Sequence, residues 1–391
     1  MRLDSKTLLP LAALVTAASA PAQGGPNSIP SVVITLENQQ PFRGVLLTPP
    51  WIGIHDGSFD IYNPNAPAST PLGGNEVESL AEDGNNGPIS ATFAALLPNA
   101  PQRMGVASAT GPLSPGQRTA VTLNVNPMTD RYFSFASMVI PSNDAFIANG
   151  NPFAYPLFDG AGQFIGQNFI ISGDQTHDAG TEVNDEVAGN TAFLAQAAPN
   201  TGTPEALGVQ TPSPGFAPAG MLPYPNGVLN YPVFGNGDFN DPDDRLLRVS
   251  FRFVDLGSAV RYGAALSTSQ EVQPLEIDTG GRGFARVLSL SGQNLRLHAS
   301  TTSLSGPITS AHLHLGPAGS NGPVIVDVGA GISANGIAVM FNASAANLTG
   351  PLAGASFVTF LNELAAGNVY LNLHTAQFPM GEVRGQVQLA D

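Results

Sequence analysis

Apolar runs in this chain are short and recur with turn signals between them, and that punctuation limits the fold more than any other feature. Gly and Pro are the residues least compatible with a helix interior, and 44 Gly and 34 Pro are spread over 391 residues. The folded part opens on Val32-Val-Ile-Thr-Leu-Glu-Asn38, an apolar, β-branched run of the kind that forms a buried strand. Further strands are expected at Gly44 to Leu47, Trp51 to His55, Ser58 to Tyr62, Ile89 to Leu97, Thr119 to Val125, Tyr132 to Ile140 and Phe164 to Ile171. One short helix is expected at Asn75 to Glu82, where Glu76, Glu78, Leu80 and Ala81 favour it. From Ala195 to Asp244 the chain is rich in Pro and Gly and loses periodicity, as a functional loop or a linker does. Arg245-Leu-Leu-Arg-Val-Ser-Phe-Arg-Phe253 then sets Arg248, Ser250 and Arg252 against Leu247, Val249, Phe251 and Phe253. This pattern predicts a half-buried strand with arginines on its wet face.

That strand closes a first domain over residues 32–254, and a second follows over 262–391. Its strands are expected at Tyr262 to Ser267, Gly283 to Leu290, Asn294 to Ala299, Ser310 to Leu315, Val324 to Val328, Ile337 to Asn342, Val369 to His374 and Glu382 to Leu389. Phe357 to Ala366 fits a short helix or a strand, and periodicity does not choose between them. The length is sufficient for two or three domains with their own cores. Many short strands between turns predict an all-β protein of two β-sandwich domains.

The formal net charge is −15, and the single Lys is Lys6. Nucleic acid, heparin-like polymers and anionic lipid surfaces need clusters of cations, so none is an expected partner. The absence of Cys excludes disulfides, thiolate chemistry and Cys-based zinc sites. Arg2 and Lys6, the apolar run Leu8 to Ala18, and Ala18-Ser-Ala20 or Ala20-Pro-Ala22 have the order of a secretory signal peptide over residues 1–22. Its apolar run is about half of the roughly 20 residues a membrane span needs. The mature chain is therefore expected to begin at Pro21 or Gln23 and to be extracytoplasmic, in a periplasm or outside the cell, with no membrane span.

Ser172-Gly-Asp-Gln-Thr-His-Asp-Ala-Gly-Thr-Glu-Val-Asn-Asp-Glu186 places five carboxylates, Asp174, Asp178, Glu182, Asp185 and Glu186, in fifteen positions. Between Arg131 and Arg245 there are twelve Asp and Glu and no Lys or Arg. Like charges without a local cation resist ionisation. The stretch is thus either a solvated acidic turn or a Ca²⁺ site, since hard cations take several oxygen ligands from irregular loops. Its spacing is not that of an EF-hand. Gly173, Gly180 and Gly189, with the β-branched Thr176, Thr181 and Val183, argue for loop rather than helix. A metal here needs at least one more ligand from elsewhere in the chain.

The first domain resembles the spondin N-terminal domain, found in animal extracellular-matrix proteins and bacterial secreted ones. The resemblance rests on Trp51-Ile-Gly-Ile-His-Asp-Gly-Ser-Phe-Asp60, Glu78-Ser-Leu-Ala-Glu-Asp-Gly84, Met138-Val-Ile-Pro-Ser-Asn-Asp144 and Asp178-Ala-Gly-Thr-Glu182, in that order. It implies a C2-like β-sandwich with a Ca²⁺ site, whose ligands fall on Asp144, Asp178 and Glu182. Three features depart from the animal pattern: Ala145 stands where an aromatic follows the Asp, Glu182 replaces an Asp, and the cysteines and basic surface are missing. Without a basic patch, glycosaminoglycan binding is not expected.

The second domain resembles the chordin-type CHRD domain through Ala311-His-Leu-His-Leu-Gly-Pro-Ala-Gly-Ser-Asn-Gly-Pro-Val324, Tyr370-Leu-Asn-Leu-His-Thr-Ala376 and Gly381-Glu-Val-Arg-Gly-Gln-Val387, with Ser269-Gln-Glu-Val-Gln-Pro274 as its opening. This family brings no established catalytic activity. His312 and His314 sit two apart on an expected strand, so both imidazoles project from one face. With His374 and Glu382 they offer a His-rich site suited to Zn or Cu. The competing reading has them bonded to backbone in tight Gly/Pro turns. His55, His177 and His298 are expected to be structural or exposed, and Asp56, Asp60, Glu82 and Asp83 to lie in surface turns.

No Gly-x-Ser-x-Gly elbow, phosphate-binding Gly-rich loop followed by Lys, or His-Glu-x-x-His occurs. The expectation is a secreted, non-enzymatic, Ca²⁺-binding protein that adheres to an extracellular protein or polysaccharide at a cell surface or in a matrix. The alternative is an extracytoplasmic metalloenzyme using a Zn or Cu site at His312, His314 and His374.

Overall fold

The computed structural model describes residues 27–103, 111–216, 239–272 and 279–390. The expected leader, part of the Pro/Gly-rich loop and the end of the Ser269–Pro274 motif lie outside the described residues. The first unit contains β1 (Pro30–Asn38), β2 (Leu46–Leu47), β3 (Trp51–His55), α1 (Glu76–Asp83), α2 (Gly87–Leu96), β4 (Gln102–Arg103), β5 (Arg118–Asn124), β6 (Tyr132–Ile140), β7 (Ala145–Ala148), β8 (Phe169–Ser172), β9 (His177–Asp178) and β10 (Arg245–Asp255). One sheet runs β5-β1-β10-β8; the other runs β4-β3-β6-β7-β9, with β2 also on β6. Val32, Ile34 and Val249 from the first sheet share one core with Ile52, Phe133 and Phe135 from the second, so the two layers form a sandwich. Arg248 and Arg252 are exposed on β10 while Leu247 and Val249 are buried, as the alternation predicts.

Two expected strands take other forms. Residues 58–62 pair with no neighbour, although Phe59, Ile61 and Tyr62 are buried. The run Ile89 to Leu97 is helix α2, not strand. Pro88 in its first turn has no N–H to leave unsatisfied, its alanines are strong helix formers, and its buried residues, Ile89 and Phe93, stand one turn apart. Phe93 packs edge-on against Trp51 and Phe59, at 5.2 and 4.8 Å between centroids.

The second unit is one continuous antiparallel sheet. Its elements are β11 (Val260–Ser267), β12 (Arg282–Leu290), β13 (Asn294–Thr302), β14 (Ile308–Leu315), β15 (Val324–Asp327), β16 (Ala338–Ser344), α3 (Phe357–Ala366), β17 (Val369–Thr375) and β18 (Val383–Leu389). The strand order is β15-β14-β17-β18-β11-β12-β13-β16. All eight strands contribute to a single core, so the sheet folds back nearly closed on itself and its two facing layers are halves of one sheet. The run left open as helix or strand is α3: the Ser356 hydroxyl accepts from the Thr359 N–H at its start, and Gly367 ends it in the left-handed conformation. Phe360, Leu361 and Leu364 on that helix enter the core. Val33 of β1 and Leu256 join it too, so the units share apolar packing. Among the described residues no helix is long and apolar enough to cross a membrane.

Candidate functional site

Two groups of side chains stand out chemically, one in each unit. The first is acidic. Strand β9 pairs with β7 so that Asp178 lies opposite Ala145, which sets Asp178 beside Asp144 at the end of the β6–β7 loop. Asp144 is fully buried. Its Oδ2 accepts from the backbone N–H of Thr181 at 2.9 Å, that of Glu182 at 3.1 Å and the Thr181 hydroxyl at 3.3 Å. Its Oδ1 is buried with no hydrogen-bond partner. Asp178 accepts from the Gly180 N–H at 2.8 Å and the Asn184 amide at 2.6 Å. Glu182 is buried as well, and its Oε1 also lacks a partner. Gly202 makes room for that carboxylate: a Cβ there would stand 1.0 Å from Glu182 Oε1.

The structure adds one acid that the motifs did not single out as a ligand. Glu82, expected in a surface turn, is buried in the last turn of α1. Its charge acts on both Asp144 and Glu182. The other loop carboxylates divide: Asp174 is exposed, while Asp185 accepts from Asn143 and Asn190.

Burial and like charge make this group reluctant to ionise. Burial first and Asp178 next push the Asp144 carboxyl up to about 7. Burial, then Glu82, Asp144, Asp185 and Asp83, push Glu182 up to about 8. Burial, against an opposing hydrogen bond from Thr181, takes Glu82 to about 7. Asp178 is raised by burial. Every charge that acts on Glu182 is negative. Two orphaned, buried carboxylate oxygens among four acids are donors of the type that a hard cation takes.

The second group is imidazole. Strand β14 pairs with β17 in the register Ser310↔His374, His312↔Asn372 and His314↔Tyr370. Ala311 and Leu313 face the core, so His312, His314 and His374 share the opposite face. Among the described residues this is the only set of three or more His, Asp or Glu whose ligand atoms all lie within 4.8 Å of one another. The acidic group does not reach that convergence. His374 Nδ1 lies 2.9 Å from the Pro379 carbonyl, and His314 Nδ1 lies 2.9 Å from the Gly322 carbonyl. A carbonyl only accepts, so each Nδ1 carries the proton and each Nε2 presents its lone pair. His374 Nε2 is 3.1 Å from His312 Nδ1, and His314 Nε2 is buried without a partner. The His314 ring stacks on Tyr370 at 4.7 Å, and the Arg384 guanidinium lies 3.5 Å from the Tyr370 centroid. Burial, with His312, His374 and Arg384, holds His314 below its ordinary value; burial and then His312 do the same for His374.

Glu382 is not part of this set. Its oxygens accept from the Ser305 N–H, the Ser305 hydroxyl and the Thr375 hydroxyl, each at 2.7 Å. Burial works against its ionisation, but these bonds outweigh it and keep the carboxyl below its usual value. His55 and His177 are buried with hydrogen-bond partners, and burial lowers each to about 4. His298 is exposed on β13.

Residues 262–387 match the CHRD domain family. No curated protein matches the chain, and no solved structure does.

Proposed function

We propose that this is an exported, Ca²⁺-dependent binding protein in which a spondin-like unit, residues 32–254, holds one Ca²⁺ through Asp144, Asp178 and Glu182. Glu82 completes the oxygen set. The observation that carries this reading is the pair of buried, unpartnered oxygens, Asp144 Oδ1 and Glu182 Oε1, in a group where the acting charges are negative. A Ca²⁺ ion there ties together the β6–β7 loop, the loop after β9 and the end of α1, three segments far apart in sequence. The ordered rim then serves non-enzymatic adhesion to an extracellular protein or polysaccharide, with the CHRD unit as a second binding module.

The test is calorimetric titration of the mature chain with Ca²⁺ after treatment with a chelator, beside melting curves in each condition. One saturable site and a higher melting temperature in Ca²⁺ are expected, and Asp178→Ala with Glu182→Ala should remove both. Titrations without heat, together with superimposed melting curves, would leave the loop as a solvated acidic turn. A pull-down against extracellular material with and without chelator tests the adhesive role. N-terminal sequencing of exported protein should find Pro21 or Gln23, and an intact Met1 would contradict export by the expected leader.

A further inference from the structure

We propose that His312, His314 and His374 form a site for one first-row transition-metal ion of the Zn²⁺ or Cu²⁺ class, separate from the acidic group and independent of it. Neutral imidazole nitrogens suit these ions, whereas Ca²⁺ takes oxygen. Three observations point the same way. First, the ligand atoms already converge within 4.8 Å. Two nitrogens bound tetrahedrally at about 2.05 Å from zinc stand roughly 3.3 Å apart, close to the 3.1 Å between His312 Nδ1 and His374 Nε2.

Second, the tautomers are set from behind. Backbone carbonyls of Gly322 and Pro379 take the Nδ1 protons of His314 and His374, which leaves both Nε2 lone pairs bare, that of His374 beside His312 Nδ1. Metal-binding histidines are oriented in this way, the second nitrogen donating to a carbonyl or carboxylate. Third, the site has an unmet lone pair. His312 Nδ1–H can donate to only one acceptor, and His374 Nε2 is beside it. His314 Nε2 is then left buried with nothing to accept from, which a bound ion corrects. His312 and His314 are partly exposed, so the site lies near the surface, where an ion can reach it.

The experiment uses the full mature chain, stripped with chelator and then held in excess Ca²⁺ so that the acidic group is not counted. Cu²⁺ and Zn²⁺ are titrated separately by calorimetry, and Co²⁺ is added to report donor geometry through its visible absorption. The expected result is one further ion per chain, with nitrogen hyperfine structure in the Cu²⁺ resonance spectrum. His374→Ala should weaken binding by about a hundredfold or more, in line with the loss of a ligand outweighing the 10- to 100-fold effect of a supporting group. His298→Ala, on the exposed face of β13, should leave it unchanged. If His374→Ala does not fold, the partly exposed His312→Gln carries the same test, with melting in chelator as the check on its fold. Absence of saturable binding by either ion overturns the proposal. So does binding that persists at wild-type strength in the folded His312 or His374 variant.

Discussion

Glu82 sits where a negative charge is least welcome: in the last turn of α1, beside Asp83, with no basic residue in that turn to meet the negative end of the helix. Buried like charge makes the position worse still, unless a cation is the partner. Glu82→Gln is therefore expected to act in opposite directions. In chelator at neutral pH it should raise the melting temperature by removing a repulsive charge. In Ca²⁺ it should weaken the metal by roughly 10-fold, since Gln keeps an oxygen ligand but loses the charge. A purely structural glutamate would lower stability in both conditions. The same physics gives a pH dependence. Asp144, Glu182 and Glu82 have folded values of about 7, about 8 and about 7, raised from 3.8, 4.5 and 4.5. The folded state therefore binds more protons than the unfolded one between these limits, and stability falls as pH rises. The penalty is absent below about pH 4 and complete above about pH 8. Melting temperature without Ca²⁺ should drop between about pH 5 and pH 8, and Ca²⁺, which needs the deprotonated forms, should rescue it most at the upper end. A rising curve in chelator over that range would contradict the raised values.

Loops and short helices decide the geometry at the next scale. The segment near Gly202 pairs by a bridge between Glu182 and Pro204 and lies directly against the Glu182 carboxylate. Gly202→Ala introduces a Cβ 1.0 Å from Glu182 Oε1, 2.1 Å from its Cδ and 2.7 Å from its Cγ, so the buried side chain must move as a whole. Stability in chelator should fall by about 1–3 kcal/mol, as overpacking of a filled site does, and Ca²⁺ affinity should fall because the carboxylate is displaced. Calorimetry on the variant checks both halves. Helix α2 shows a different dependence. It buries only Ile89 and Phe93, and Phe93 closes an aromatic cluster with Trp51 and Phe59. Phe93→Ala should cost about 3–5 kcal/mol, the range for a buried aromatic truncated to a methyl, read from denaturant unfolding.

Across the whole molecule the two units are joined by more than their linker. Val33 and Leu256 lie in the core of the second unit, the Asn368 amide donates to the Ala120 carbonyl at 3.2 Å, and Arg103 approaches Glu363 at 3.8 Å. A ligand that binds only the folded state adds RT ln(1 + [L]/Kd), about 2.7 kcal/mol at a hundredfold excess. For a unit of this size that is a rise of roughly 5–10 °C. Scanning calorimetry of the intact chain should show this shift in the first unit's transition. The transition of the CHRD unit should follow only as far as the shared packing couples them.

The strand pattern was legible because alternation and turn residues are local. Tyr132 to Ile140 forms β6 with those bounds, and the wet arginines of β10 are exposed. The caps of α3 were also present, in Ser356 and Gly367, though the apolar run between them suits either state until a core is available to bury it. Ile89 to Leu97 misled because its length and apolar content also fit a buried strand, although Pro88 and the alanines carried the helix signal. The spondin resemblance implied Asp144, Asp178 and Glu182 as ligands, whereas the His-x-His spacing itself pointed to His312 and His314 on one strand face. What no spacing could state is which acids share a buried volume. Glu82 stands sixty-two residues before Asp144 and a hundred before Glu182, and only the packing of α1 against the second sheet brings their charges together. Likewise the Pro379 and Gly322 carbonyls fix which nitrogens of His374 and His314 are bare, and Ser305 and Thr375 withdraw Glu382 from them. Residue type is written in the chain, whereas proton position and charge proximity are set by which backbone groups the fold places within hydrogen-bonding reach.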